Sequence, residues 1–143
     1  MIFYIASGLE NAANVRKAAE ILKSLGHEQS YDWTVHGDVR AQGAQRLLQV
    51  AKSESEAIMR SDLVLVLLPG ARGTHTELGL AIGSAHPGER IWVWSQTGEH
   101  FASDERTCAF YWHPCVRRFT GAFDGVVQAI EQEFSHNTPV EGE

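Results

Sequence analysis

The stretch Leu63-Val64-Leu65-Val66-Leu67-Leu68, which runs directly into Pro69-Gly70-Ala71-Arg72-Gly73, decides the fold of this chain. Its apolar residues do not alternate with polar ones, and this pattern is typical of a central parallel strand that helices cover on both faces. Apolar runs at residues 2–6 and 91–94 predict two further strands. The proline and glycines that follow residue 68 predict a sharp turn at the carboxyl end of the central strand.

Helical patterns separate these strands. Apolar residues recur at three- and four-residue steps between residues 11 and 26, from residue 44 to near residue 61, in a third segment that contains Ala85 and ends before Pro87, and at about residues 123–134. Strands and helices that alternate in this way predict an α/β protein with an open parallel sheet and helices on both faces.

Two weaker patterns set the number of strands. Residues 27–33 predict a second strand, and residues 108–112 predict a short fifth one, so we expect a sheet of four to five strands. The length of 143 residues is that of one domain. We expect this domain to span residues 1–134, followed by a flexible tail at residues 135–143.

Composition excludes several classes of protein. Hydrophobic residues make up 43% of the chain and charged residues 21%, which is ordinary globular composition. The net charge is -6 and the longest basic run is Arg117-Arg118, so no nucleic-acid polymer is expected as a partner. No apolar run approaches the roughly 20 residues that cross a membrane. A small molecule remains the expected partner.

The remaining chemistry-bearing residues give no cofactor signal. Cys108 and Cys115 are too few for a disulfide scaffold, which favours a reduced, cytoplasmic protein without a signal peptide. The histidines lack the spacing of a zinc site. We therefore expect neither a metal nor a cofactor.

In open parallel sheets, ligands bind beyond the carboxyl ends of the strands. This rule selects the loops at residues 7–11, 32–43 and 69–75. In the third loop, Gly70 and Gly73 permit a tight turn whose backbone N–H groups can face an anion. Arg72 is a suitable phosphate partner beside them.

Glu77 lies close to the start of the third predicted helix. Placed in its first turn, the carboxylate would be favoured by the helix dipole and could act as a nucleophile or a base. The same residues also fit a capping box, Thr74-His75-Thr76-Glu77, in which Glu77 only returns a hydrogen bond to the helix start. The local pattern leaves both interpretations open.

Four segments together resemble the nucleoside 2-deoxyribosyltransferase family over about residues 2–94. They are Phe3-Tyr4-Ile5-Ala6-Ser7-Gly8, Tyr31-Asp32-Trp33, Ser61-Asp62 and Gly73-Thr74-His75-Thr76-Glu77-Leu78-Gly79. The resemblance implies a flavodoxin-like, Rossmann-like fold and cleavage of the bond between base and sugar through a covalent sugar ester on Glu77. In related 2'-deoxynucleoside 5'-phosphate N-hydrolases the sugar passes to water.

The same resemblance implies further roles. Tyr4 falls where the family places a tyrosine that positions the catalytic Glu, and Ser7 and Gly8 fall in a loop that lines the sugar or its phosphate. Glu54 falls on a family carboxylate that contacts the substrate, although a solvated helix residue is the alternative. The family also completes its sites at subunit contacts, which implies a homodimer or a higher homo-oligomer.

One departure widens the choice of substrate. Ala71 stands where the family usually has Asp or Ser, and residues 69–77 are also similar to the PGGxGTxxE signature of cytokinin riboside 5'-monophosphate phosphoribohydrolases. Both resemblances imply a nucleoside or nucleotide bound by the loop and helix start. The expected binding residues there are Gly70, Arg72, Gly73, Thr74 and His75, with His75 as a bystander in the alternative interpretation.

Loss of the base requires a proton or a hydrogen bond on the leaving group. Asp32 is the candidate for this role, and Trp33 is a candidate for stacking on the base. The alternative is that Asp32 caps a turn while Trp33 packs into the core. At the level of the whole protein, an N-glycosidase or deoxyribosyltransferase competes with a non-catalytic nucleotide-binding sensor.

Overall fold

The structure is a computed structural model that describes residues 1–84 and 90–134. Within these residues, five parallel strands form one sheet in the order β2-β1-β3-β4-β5. The elements are β1 Ile2–Ser7, α1 Ala12–Ser24, β2 Glu28–Gln29, α2 Ala44–Arg60, β3 Leu63–Leu67, α3 Arg72–Gly83, β4 Ile91–Trp94, β5 Val116–Phe119 and α4 Phe123–Phe134. The expected α/β fold is therefore confirmed. The predicted tail and Ala85 lie outside the described residues.

The central strand is β3, as its apolar run predicts. All its residues are buried, and it pairs with β1 on one side and with β4 on the other. The chain passes from β1 to β2 at one edge and then returns to β3, so the strand order reverses between β1 and β3. A crevice at the carboxyl ends of these two strands is the expected ligand position in such a sheet.

The second strand is shorter than residues 27–33, because the chain leaves the sheet after Gln29. Two donors continue the hydrogen bonding along β1: Ser30 N donates to Phe3 O at 2.8 Å, and Trp33 Nε1 donates to Ile5 O at 2.7 Å. The buried indole of Trp33 thus takes the place of a strand beside β1 and fixes the start of the loop that follows.

The fifth strand is Val116–Phe119, and its prediction at residues 108–112 is wrong. Residues 109–112 form a short 3-10 helix that buries Tyr111. The two adjacent arginines, Arg117 and Arg118, interrupt the alternation of apolar and polar residues that would predict this strand. The Arg117 guanidinium lies over the rings of Trp92 and Phe119. None of the described helices has the length and apolarity needed to cross a membrane.

We predict that Trp33→Phe lowers the free energy of unfolding by about 1–3 kcal/mol, because the buried Ile5 carbonyl loses its partner while most of the ring packing remains. Urea unfolding of the variant and the wild type measures the effect. Trp112→Phe is the matched control, since Trp112 is 51% exposed. Equal unfolding midpoints for Trp33→Phe and the wild type would contradict the structural role of the indole bond.

Candidate active site

Glu77 lies in the second turn of α3, because that helix begins at Arg72. The capping interpretation of Thr74-His75-Thr76-Glu77 is therefore wrong. Thr74 is buried inside the first turn, where its Oγ1 accepts a hydrogen bond from Ala71 N at 3.0 Å. Thr74 caps the helix start itself, and the Glu77 carboxyl is left for another role.

The Glu77 side chain lines a cavity of about 230 Å³ between α2 and α3. Glu54 and Ile58 of α2 and Gly73 and Leu80 of α3 contribute to the same wall. Glu77 Oε2 is buried and has no hydrogen-bond partner among the described residues. A buried carboxyl oxygen without a partner is costly to the fold, and on a side chain that lines a cavity it is typical of a group that meets a ligand.

Burial raises the pKa of Glu77 to about 8, and the charge of Glu54 adds to this rise. The nearby Tyr4 hydroxyl acts in the opposite direction, because it can donate a hydrogen bond to the ionised carboxylate. Burial thus opposes the ionised form that the sequence analysis expected at the helix N-terminus, because Glu77 lies beyond the first turn, where the helix dipole has little effect.

Tyr4 lies on β1 and is fully buried. Its hydroxyl lies beside the Glu77 carboxyl, but neither Tyr4 Oη nor Glu77 Oε2 has a hydrogen-bond partner among the described residues. Burial raises the pKa of Tyr4 far above its ordinary range, and the charges of Glu77 and Glu54 raise it further. Tyr4 therefore remains a neutral phenol. Its hydroxyl can donate a hydrogen bond to Glu77 when that carboxyl is ionised.

A larger cavity of about 470 Å³ adjoins the first, since Glu54 and Gly73 line both. Its other walls are residues 33 and 36–40 of the loop after β2 and the start of α3 at Arg72. Its volume is in the range of small-molecule sites. Arg72 is exposed there, and its guanidinium forms no ion pair with a described residue.

Other predicted residues shape the backbone and line neither cavity. Ser7 Oγ donates to Leu67 O at 2.6 Å, which joins the carboxyl ends of β1 and β3. Gly8 N donates to Pro69 O at 3.2 Å. A Cβ on Gly70 would lie 2.8 Å from Thr74 Cγ2, so the turn before α3 has no room for a side chain at this position.

Asp32 makes the contacts of a turn cap. Its Oδ1 accepts hydrogen bonds from Thr34 N at 3.0 Å and from Thr34 Oγ1 at 2.5 Å. His75 uses both ring nitrogens within the protein, Nδ1 with Ala71 O and Nε2 with the Tyr111 hydroxyl at 2.6 Å. Trp33 packs into the core, as its alternative interpretation predicts, while part of it lines the larger cavity.

Sequence reasoning missed His36, which lines the larger cavity. The loop at residues 32–43 was selected by its position and length, but no motif marks a single histidine within it. The environment of His36 depends on contacts that form only when the chain folds, such as the contact of its Nδ1 with Gly37 O. The described residues contain no group of three His, Cys, Asp or Glu side chains that could hold a metal ion.

The raised pKa of Glu77 predicts a pH-dependent cost to the fold. Between pH 4.5 and about 8 the folded chain keeps a proton that the unfolded chain has lost. Stability therefore falls with rising pH in this window, by at most about 1.4 kcal/mol per pH unit. We predict that Glu77→Gln removes this fall, so that its melting temperature exceeds that of the wild type increasingly from pH 5 to pH 8.

Thermal melts across this range test the prediction, with Glu56→Gln as the matched control because Glu56 is exposed on α2. A constant difference between Glu77→Gln and the wild type would show that the Glu77 carboxyl is ionised throughout.

A comparison with protein-family models and with curated proteins found no match. Among solved structures, the chain is similar to the CMP N-glycosidase BcmB of Clostridium botulinum. The TM-score is 0.59 and the identity 19%, and the match covers 92% of this chain and 98% of that chain. At this identity the likeness establishes the shared α/β fold across nearly the whole of both proteins.

Proposed function

We propose that this protein is an N-glycosidase that cleaves the bond between the base and C1' of a nucleoside 5'-monophosphate, with Glu77 as the nucleophile. The observation that carries the proposal is the Glu77 side chain, which lines a cavity beside the Tyr4 hydroxyl and has a buried Oε2 without a hydrogen-bond partner among the described residues. The family resemblance of the sequence and the fold shared with a CMP N-glycosidase support the same chemistry.

The two adjoining cavities support a nucleotide rather than a free sugar or a free base. A pentose in the smaller cavity would bring C1' to Glu77, and the base would extend into the larger cavity beside Trp33. Arg72 and the backbone N–H groups at the start of α3 favour a 5'-phosphate, because cations and helix N-termini both stabilise anions.

The mechanism follows from the charge that develops on the sugar. As the C1'–N bond breaks and its electron pair leaves with the base, C1' gains positive character, as in glycoside hydrolysis. An ionised Glu77 oxygen within about 3–3.5 Å can capture C1' as an ester. Tyr4 holds this carboxylate in place through its hydroxyl. Water then attacks C1', which releases ribose 5-phosphate and restores the carboxylate.

We further propose water as the acceptor and a homo-oligomer as the assembly. The fold shared with an N-glycosidase supports hydrolysis. Exposed apolar side chains on α2 support a subunit contact near the site: Leu47 is 41% exposed, Leu48 59% and Met59 61%. Product analysis with and without an excess of a second base tests the acceptor, and the appearance of a new nucleotide would contradict hydrolysis.

Glu77→Gln is the direct test of the nucleophile. We predict that the variant loses at least about 1,000-fold in base release from a panel of nucleoside 5'-monophosphates, because a neutral amide cannot form the sugar ester. Chromatography of the free base measures the rate, and Glu56→Gln should match the wild type. Wild-type binding of a nucleotide without any base release would instead support a non-catalytic sensor.

Tyr4→Phe tests the support of the nucleophile. The substrate is 4-nitrophenyl ribofuranoside 5-phosphate, whose leaving group departs without a proton, so its rate reports Glu77 alone. We predict that wild-type kcat/KM rises with pH and levels above about 8, where Glu77 is ionised. Without the hydroxyl, the pKa of Glu77 is higher, and the midpoint of the variant moves to higher pH. An unchanged midpoint would contradict the role of Tyr4.

A further inference from the structure

His36 lines the larger cavity, and one of its two ring nitrogens has no hydrogen-bond partner among the described residues. Its Nδ1 lies 2.8 Å from Gly37 O. A carbonyl oxygen only accepts hydrogen bonds, so Nδ1 carries a proton whether the ring is neutral or charged. The second nitrogen, Nε2, is buried and has no hydrogen-bond partner among the described residues. Nε2 is therefore the position at which this ring can gain or lose a proton.

A second histidine of the same chain shows what a purely structural ring looks like. Both nitrogens of His75 have partners within the protein, Ala71 O and the Tyr111 hydroxyl. Both ring nitrogens of His75 therefore have hydrogen-bond partners, whereas only one ring nitrogen of His36 has a partner among the described residues. A buried polar atom without a partner destabilises the fold, so its retention in a residue that lines a cavity points to a ligand that supplies the partner.

An aromatic ring and several charged groups surround His36. The Tyr31 ring lies 5.7 Å from the imidazole, and the charge of His36 lowers the pKa of Glu54 against the rise that burial causes there. Glu10, Asp38, Arg40 and Arg72 complete the charged groups of the cavity wall. Asp38 and Arg40 pair with each other, whereas Glu54 interacts electrostatically with His36.

We propose that His36 is the general acid of the reaction, donating a proton from Nε2 to the departing base, an assignment that rests on the proposed N-glycosidase function. Asp32 is a poorer donor, because Oδ1 already accepts two hydrogen bonds from Thr34 and the residue does not line the cavity. The base of a nucleotide whose C1' lies at Glu77 would extend into the cavity that His36 lines.

The proposed reaction needs no reactant other than the nucleotide and water. In the first step the C1'–N bond breaks, its electron pair leaves with the base, Nε2 gives the base a proton, and Glu77 forms an ester with C1'. In the second step water attacks C1' and the ester oxygen leaves as the carboxylate. The water proton returns to Nε2, and the enzyme regains its starting state.

His36→Asn is the test variant, because the asparagine amide can replace Nδ1 as donor to Gly37 O but has no counterpart of Nε2. We expect a loss of about 100-fold or more in kcat with a natural nucleoside 5'-monophosphate, in the range typical of a general acid. With 4-nitrophenyl ribofuranoside 5-phosphate, which needs no proton, kcat should change less than about fivefold.

Two further variants sharpen the test. His36→Gln places an amide N–H near the position of Nε2, so it should keep the KM for the natural nucleotide while losing kcat. His113→Asn is the control, since His113 lines neither cavity and contacts Cys115. Thermal melts of each variant report whether it has folded.

Equal losses of His36→Asn on both substrates, or no loss on the natural nucleotide, would overturn the assignment of His36. The proposed function fails in a different way. If Glu77→Gln cleaves the nitrophenyl substrate at the wild-type rate, or the wild type cleaves neither substrate, the N-glycosidase proposal is overturned and the role of His36 with it.

Discussion

The removal of the Glu77 carboxyl from water is the constraint on which the candidate site depends. Burial makes the charged form of this group unfavourable, and the nearby Glu54 makes it more so. Such a carboxylate gains most when a positive charge appears beside it, which under the proposed function is the C1' of a sugar that is losing its base. In that reaction, the free energy lost with the hydration of the carboxylate would be recovered in the transition state.

The fold sets this arrangement through the reversal of strand order between β1 and β3. Neighbouring side chains of β1 point to opposite faces of the sheet, so Tyr4 meets α3 while Phe3 and Ile5 are buried on the other face. The turn after β3 is held tight because Gly70 has no room for a Cβ. α3 then begins at Arg72, which sets Glu77 one turn deeper than a capping position.

The unbroken apolar run of β3 and the periodicity of the helices carried enough information for the fold. In the structure, Tyr4, Glu54 and Glu77 lie close together, while their roles remain predictions. The sequence could not show which residue begins α3, because that depends on the bond from Ala71 N to Thr74 Oγ1. It also could not show the charge of Glu77, since burial is a property of the packed helices. The fifth strand was misplaced because paired arginines obscure its alternation.

The loop at residues 32–43 shows how a site residue without a motif acquires its position. Trp33 donates its indole N–H to Ile5 O, and Ile5 is the neighbour of Tyr4 on β1. His36 follows Trp33 by three residues in the same loop, so the strand that carries Tyr4 also anchors the start of the segment that carries the imidazole. A shift of β1 would therefore move Tyr4 and the start of this loop together. Under the proposed mechanism, the distance between Glu77 and His36 matters more than either position alone, because both groups must reach the same glycosidic bond.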